Sequence, residues 1–302
     1  MVVNRGFFMW FNECFVVQYL ASCDWKPICT FNELLVKGNI MIAFGIAQYD
    51  REDSVNLDLA SLLTFKEYRI NTPADVNNIS GGNWCIAHVP DACDIQLDSC
   101  IEAITGCPDV VAVNMHARPL DTYRLCGNCS GRMLVLNLEN QCCVFCGTKV
   151  TNEEIEEELN YCTFDTVFNN IISTADVLRA NGKRLMIENT FEPPSLMSRL
   201  FKELPEDVQF TLDVGHSLIS STWPQDYIYE MRNRLGHLHL HDNMGGYSER
   251  YHDLHRPCGT GIANWDVIAI ALNQIKFSGT ATFECDISPL WIRNWRNKLT
   301  DY

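Results

Sequence analysis

The sequence predicts an α/β fold, a (β/α)8 barrel carrying a small zinc-ribbon-like insert after its fourth strand. Three observations predict it. From residue 40 onward, eight short apolar strand candidates alternate with helical stretches, the order that builds a closed parallel sheet. The length of 302 residues suits one large domain of this kind. Finally, imidazole and carboxylate side chains stand at the ends of most of the strand candidates, where such a barrel places its chemistry.

Residues 1–39 read as an N-terminal extension of unassigned structure. They are rich in aromatics and cysteine and have no clear period. Arg5 precedes an apolar stretch that ends in Leu20-Ala21-Ser22-Cys23, the form of a lipoprotein cleavage site, but Asn12, Glu13 and Gln18 interrupt it. The segment is either an extension or a start placed too early.

The barrel occupies residues 40–302. Its strands are expected at Ile40–Ala47, Phe65–Asn71, Trp84–His88, Val110–His116, Arg184–Glu188, Val208–Asp213, Leu235–His239 and Thr280–Glu284. Each is a short apolar run with the β-branched and aromatic content of a buried strand. Helices are expected over Asp91–Thr105, Leu196–Leu204, Gln225–Arg234, Trp265–Gln274 and Pro289–Lys298. A further long helix opens at the capping box Thr151-x-x-Glu154. Its first turns hold Glu153, Glu154, Glu156, Glu157 and Glu158, acidic residues that favour a helix N-terminus and read as a solvated face.

Hydrophobic residues make up 47% and charged residues 20% of the chain, which excludes wholesale disorder. The formal charge of −15, from 23 basic and 38 acidic residues, excludes a large basic nucleic-acid footprint. It leaves room for a local basic groove, and bound divalent cations would offset part of it. No apolar run reaches the length of a membrane span. The 15 cysteines include two CxxC pairs, which point to metal and to a reducing, cytoplasmic setting. Cys85, Cys93, Cys100, Cys107 and Cys162 read as small core residues.

The polar residues at the strand ends carry the chemistry. The third strand ends in His88, the fourth in His116, the fifth in Glu188, and the sixth in Asp213-Val-Gly-His216. The seventh contributes His239, the loop after it Asp253 and His255, and the eighth ends in Glu284. A lone histidine at a strand end is usually structural, but nine such residues at one end of a barrel are not. Their nitrogen and oxygen donors suit zinc, manganese or iron.

These stretches (LMIENT, TLDVGHS, HLHLHDN, DLHRPCGTG and FECD) resemble the xylose isomerase-like TIM barrel superfamily, and within it most closely the endonuclease IV branch, also called AP endonuclease family 2. The resemblance spans about residues 40–290, without the insert. It implies up to three zinc ions at the barrel mouth, held by His88, His116, Glu188, Asp213, His216, His239, Asp253, His255 and Glu284. The chain departs from the endonuclease pattern in three places. Gly215 precedes the histidine of DxxH, HLHD stands where HLND is usual, and Thr260 stands where a glutamate is common. The DVGH and HLHDN wording is also typical of sugar isomerases and epimerases in the same superfamily.

The insert, residues 119–150, contains Cys126-x2-Cys129-x13-Cys143-x2-Cys146, the spacing of a four-thiolate zinc ribbon, with Cys142 as an alternative ligand to Cys143. A redox dithiol pair and ordinary buried thiols are the other readings. With its flanks the insert also holds Arg118, Arg124, Arg132 and Lys149 against Asp121 and Glu139. This local positive charge suits a cap that contacts a substrate phosphate, with Arg118 and Arg124 as binding residues. It equally suits a rigid lid or an oligomer contact.

Two activities follow. Three clustered metals suit a hydrolase that cuts a phosphodiester, with Glu188 or Glu284 orienting the hydroxide. The resemblance gives DNA with abasic sites as that substrate. The alternative is a sugar or sugar-phosphate isomerase or epimerase, in which one divalent ion such as Mn2+ holds the substrate oxygens. Glu188 and Glu284 then move a proton between neighbouring carbons, and Asp213 and His239 complete the metal shell. A third, non-enzymatic reading makes the ribbon a binding module on a barrel scaffold.

Overall fold

A computed structural model describes residues 41–48, 57–79, 84–117, 123–125, 132–134, 149, 164–190, 192–220, 222–245 and 253–300. Eight parallel strands close into a barrel: β1 (Met41–Gln48), β2 (Phe65–Arg69), β3 (Cys85–His88), β4 (Val110–His116), β7 (Arg184–Glu188), β8 (Gln209–Asp213), β9 (Leu235–Leu240) and β10 (Ser278–Phe283). Each pairs with its neighbours in chain order, and β10 pairs with β1 to close the ring. Between β4 and β7 the chain leaves the barrel. There β5 (Tyr123–Leu125) and β6 (Arg132–Leu134) form a separate antiparallel pair.

All eight expected strands are present. The second ends at Arg69, two residues early, and the eighth begins at Ser278. The eight described α-helices are α1 (Leu57–Ala60), α2 (Leu97–Thr105), α3 (Phe164–Ala180), α4 (Pro194–Glu203), α5 (Val214–Ile219), α6 (Pro224–Glu230), α7 (Trp265–Gln274) and α8 (Pro289–Thr300). Residues 91–96, expected as the start of a helix, are turns that lead into α2. Here the Asp94 carboxylate accepts from the Gln96 amide, a local bond that competes with a helical start. The helix expected over Gln225–Arg234 stops at Glu230.

The capping box at Thr151 and the four insert cysteines lie outside the described residues. So do Arg118, the side chain of Arg124, and residues 1–40. Cys85 and Cys100 are buried free thiols, as expected, whereas Cys93 is disulfide-bonded. Among the described residues no helix is long and apolar enough to cross a membrane.

The strands are buried on both faces, as parallel strands between a core and a helical layer must be. Every residue of β9 is buried. Outward residues pack under the helices in one continuous core that includes Phe44, Phe210, Tyr227 and Phe283. The inward face is layered. Ala43, Phe65, Ile86, Ala112 and Met186 form a separate apolar cluster that plugs the barrel. Gly45 makes room for it, because a Cβ there would overlap the Phe65 ring, which stacks on Trp84 at 4.6 Å. Successive inward side chains are two residues apart. One step up from the plug, the lining therefore changes from Phe65 to Glu67, from Ile86 to His88, from Ala112 to Asn114 and from Met186 to Glu188.

Candidate metal centre

The inward residues at the carboxyl ends of the strands converge. His239, fully buried on β9, is the hub. Its Nδ1 lies 3.1 Å from Glu188 Oε2, 3.4 Å from Glu284 Oε1 and 3.7 Å from Asp213 Oδ2. Its other nitrogen, Nε2, lies 3.0 Å from Glu67 Oε1. Glu67 also accepts from the Thr282 hydroxyl at 2.6 Å and contacts His237 Nε2 at 3.2 Å. A carboxylate on one imidazole nitrogen fixes the tautomer and turns the other nitrogen's lone pair outward. Here that lone pair faces three carboxylates.

Glu188 is held from below. Asn114 donates to Glu188 Oε2 at 2.5 Å and is itself oriented by the Thr211 hydroxyl at 2.7 Å. His116 Nε2 and His216 Nδ1 each lie 3.2 Å from Glu188 Oε1, and His88 Nε2 lies 3.8 Å from Oε2. Asp91 sits behind His116, 3.3 Å from its Nδ1. On the far side Asp213 accepts from the His216 amide and so caps the N-terminus of α5. His216 Nε2 and His255 Nε2 both approach Asp253 Oδ2, at 3.1 and 2.7 Å. His255 has the left-handed φ of 43°. That conformation costs roughly 1–2 kcal/mol, and the 2.8 Å contact of its Nδ1 with the Glu284 carbonyl helps hold it. Asp242 ties the loop down by accepting from the Gly259 and Ala263 amides and the Trp265 indole.

All nine residues expected from the strand ends therefore meet at one mouth. Sequence reasoning missed Glu67, His237, His241 and Asn114. All lie at inward positions two residues from a recognised one or from the apolar plug, so strict alternation along β2, β4 and β9 would have found them.

The electrostatics suit a cation. Burial alone would raise the Glu188 carboxyl, but His239 and His116 outweigh it and hold the group well below the usual carboxylate range. Burial likewise opposes charge on His239, and Glu188 and Glu284 reverse this, raising it well above the usual imidazole value. Asp213 and Asp253 are held low by the surrounding histidines against the same burial effect. Four buried atoms at the mouth have no hydrogen-bond partner: His116 Nε2, Glu188 Oε1, His239 Nδ1 and His241 Nδ1. Nitrogen and oxygen donors crowded together in this way, at ion-pair distance but without hydrogen-bond geometry, fit divalent-metal ligation. Several groups have donor atoms close enough to share one ion, among them His88–His116–Glu188, His88–His239–Glu284, Asp213–His216–His241 and His241–Asp253–His255.

Fold and site together define an α/β barrel whose mouth gathers His, Asp and Glu donors close enough to share a metal ion. A family model for the xylose isomerase-like TIM barrel matches residues 134–299, more than half of the chain, and the chain belongs to that family. No curated protein matches the sequence. Among solved structures it is similar to a D-tagatose 3-epimerase-like protein, with a TM-score of 0.58 and 15% identity over 86% of this chain and 99% of that one. A 3-keto-D-glucoside 4-epimerase from E. coli gives 0.53 and 15% over 85% and 97%. A Thermus thermophilus protein, from a crystal soaked with ZnCl2, gives 0.52 and 15% over 86% and 99%. At these identities the likeness is one of fold.

Proposed function

We propose that this chain is a divalent-metal-dependent epimerase or isomerase acting on a sugar or sugar phosphate. The observation that carries the reading is that Glu188 and Glu284 lie within 3.4 Å of the same buried His239 nitrogen. Two carboxylates around one ligand position is the arrangement a proton transfer beside a carbonyl needs. Glu188, Asp213, His239 and Glu284 would hold the ion, zinc or manganese. When bound, it polarises the substrate carbonyl and steadies the negative charge that develops on its oxygen.

The chain's own residues do the rest. One glutamate removes the proton from the carbon beside the carbonyl, and the electron pair delocalises into an enediolate. The other glutamate returns a proton, either to the same carbon from the opposite face or to the neighbouring carbon. Asn114 and Thr211 keep Glu188 aimed. A small open recess lined by Ala47, Gln48, Glu67, Arg69, His88 and Glu284 adjoins the site. Within it the Arg69 guanidinium suits a phosphate substituent. The similarly folded D-tagatose 3-epimerase-like protein and 3-keto-D-glucoside 4-epimerase support the same substrate class.

The test is solvent-deuterium exchange into a panel of ketoses and ketose phosphates, followed by NMR, with the metal-loaded protein and Glu284→Gln. Exchange should occur with the wild type and fall by about 10²-fold or more in the variant. A wild type that exchanges none of them sinks the reading.

A second reading rests on a specific observation: His88 and His116 approach Glu188, and His216, Asp253 and His255 cluster beside it. These five are surplus for one metal and complete the set implied by the endonuclease IV resemblance. On this reading the chain is a trinuclear zinc hydrolase that cuts DNA at abasic sites. Salt-dependent cleavage of an abasic oligonucleotide would establish it. We also propose that Cys126, Cys129, Cys143 and Cys146 hold a structural zinc, and that Arg118, beside the insert, and Arg124, within it, contact substrate.

A further inference from the structure

Cys258 and Cys285 lie beside the residues of the mouth without belonging to the proposed ligand set. Cys258 stands three residues after His255, and Cys285 directly follows Glu284. Their sulfurs are 3.8 Å apart, although 27 positions separate them in the chain. Cys258 is buried, whereas Cys285 is half-buried and open to small solutes.

The backbone is fixed on both sides of the pair. Arg256 pairs with Asp242 through two backbone hydrogen bonds of 2.8 and 2.9 Å, and the Thr260 amide closes the next turn on the Pro257 carbonyl. The Asp242 carboxylate also accepts from the Gly259 amide, where glycine supplies the left-handed φ of 85°. Opposite, the Glu284 amide donates to the Leu240 carbonyl at 3.2 Å, and the Cys285 thiol donates to the same oxygen at 3.5 Å. Two sulfurs held in contact by separate anchored segments react with each other far faster than with any thiol in solution.

We propose that Cys258 and Cys285 form a reversible oxidation site, joined into a disulfide by a hydroperoxide and reopened by a dithiol, and that the disulfide slows the reaction at the mouth. The more open Cys285 reacts first. Its sulfur attacks one oxygen of the hydroperoxide, the O–O bond breaks, and a sulfenic acid forms as the other oxygen leaves as water or alcohol. The Cys258 sulfur then attacks the sulfenic sulfur. The S–O bond breaks, and hydroxide leaves as water with the Cys258 proton. In sum two thiols give up two electrons and the peroxide accepts them.

A disulfide bond is about 2.05 Å long, so the sulfurs must close by about 1.8 Å. The peptide joining Glu284 to Cys285 moves with them, and its carbonyl is the one that His255 Nδ1 contacts at 2.8 Å. Closure therefore displaces Glu284, and a displacement near 1 Å is enough to slow a proton transfer. The effect on rate rests on the epimerase reading, whereas the bond itself does not.

The test is a stepwise hydrogen peroxide titration of the full metal-loaded chain, followed by alkylation of free thiols, trypsin digestion and mass spectrometry. Trypsin leaves Arg256–Pro257 intact, so Cys258 falls on peptide 251–276 and Cys285 on peptide 277–293, each the single cysteine of its peptide. The two should appear as one linked species that dithiothreitol dissolves. Deuterium exchange into the substrate should fall at least tenfold on oxidation and return on reduction. Cys258→Ser should keep its exchange rate through the same titration, and since it retains the insert cysteines it controls for their oxidation. Two separately alkylated or over-oxidised peptides from the wild type overturn the proposal. So does an exchange rate that falls equally in Cys258→Ser, or a linked species that exchanges as fast as the reduced protein. A reduced wild type that exchanges no substrate but yields the linked peptides overturns the epimerase reading and supports the disulfide.

Discussion

Glu67 shows how much a single buried side chain can decide. It is not among the proposed metal ligands, but its carboxylate selects which nitrogen His239 turns toward Glu188 and Glu284. Glu67→Gln should lower the affinity for the working metal by roughly 10–100-fold while leaving the zinc count of the insert unchanged. Metal titration followed by calorimetry checks this, and an unaltered affinity would remove Glu67 from the centre. Gly215 acts through the space it leaves. Gly215→Ala forces its methyl group into the His241 ring and should destabilise the protein by about 1–3 kcal/mol, the usual range for overpacking. Chemical denaturation of the zinc-loaded protein measures it, and a change within error would mean that the ring has room to swing away.

At the scale of elements, the strand ends are positioned by polar side chains that hold backbone carbonyls. The Arg234 guanidinium, just before β9, donates to the carbonyls of Phe201, Leu204, Pro205 and Val208 at 2.6–3.0 Å. It thereby satisfies the C-terminal end of α4 and the turn into β8. Because β8 and β9 carry Asp213 and His239, this one cation sets the spacing of two proposed ligands. Arg234→Met keeps most of the aliphatic volume and leaves four carbonyls without their donor, so it should cost about 3 kcal/mol. A shift in the denaturation midpoint without a change in slope would show the loss as one of stability. No shift would mean that water replaces the guanidinium at no cost. Lys183 does similar work before β7, donating to the carbonyls of Cys107 and Val110 and so joining the starts of β4 and β7.

For the whole molecule, the concentration of charge at one end of the barrel predicts a distinctive pH response. Burial works against protonation of His116, but Glu188 and Asp91 reverse this and raise it to about 9. His255 is likewise raised to about 9 against burial, by Asp253 and Glu284. Both values refer to the protein without metal and exceed the unfolded value of about 6.5. Protonation therefore stabilises the metal-free fold fully below about pH 6.5, and that stability is lost as pH rises through about 9. The melting temperature of chelator-treated protein should fall across this window, and saturating zinc should flatten the curve. Zinc binding at neutral pH should also release protons, seen as a dependence of calorimetric heat on buffer ionisation. A chelated protein whose melting temperature does not change from about pH 6.5 to 9 would show that these imidazoles are not protonated in the fold.

The sequence by itself determined the eight strands, their order and nine of the polar residues at the mouth. It could do so because strand burial is a local property and because closing a parallel barrel brings every carboxyl end to the same rim. Boundaries were misplaced where a side chain competed with the backbone, as Asp94 does ahead of α2. The tertiary structure alone decided which imidazoles would be bare. Glu67 and His239 are 172 residues apart, and Gly215 meets His241 only across the β8–β9 register. The choice between a histidine that is satisfied and one that is left to bind an ion depends on which atom of a distant strand lies within hydrogen-bonding distance, and that is set by the stagger of the closed sheet rather than by any pattern along the chain.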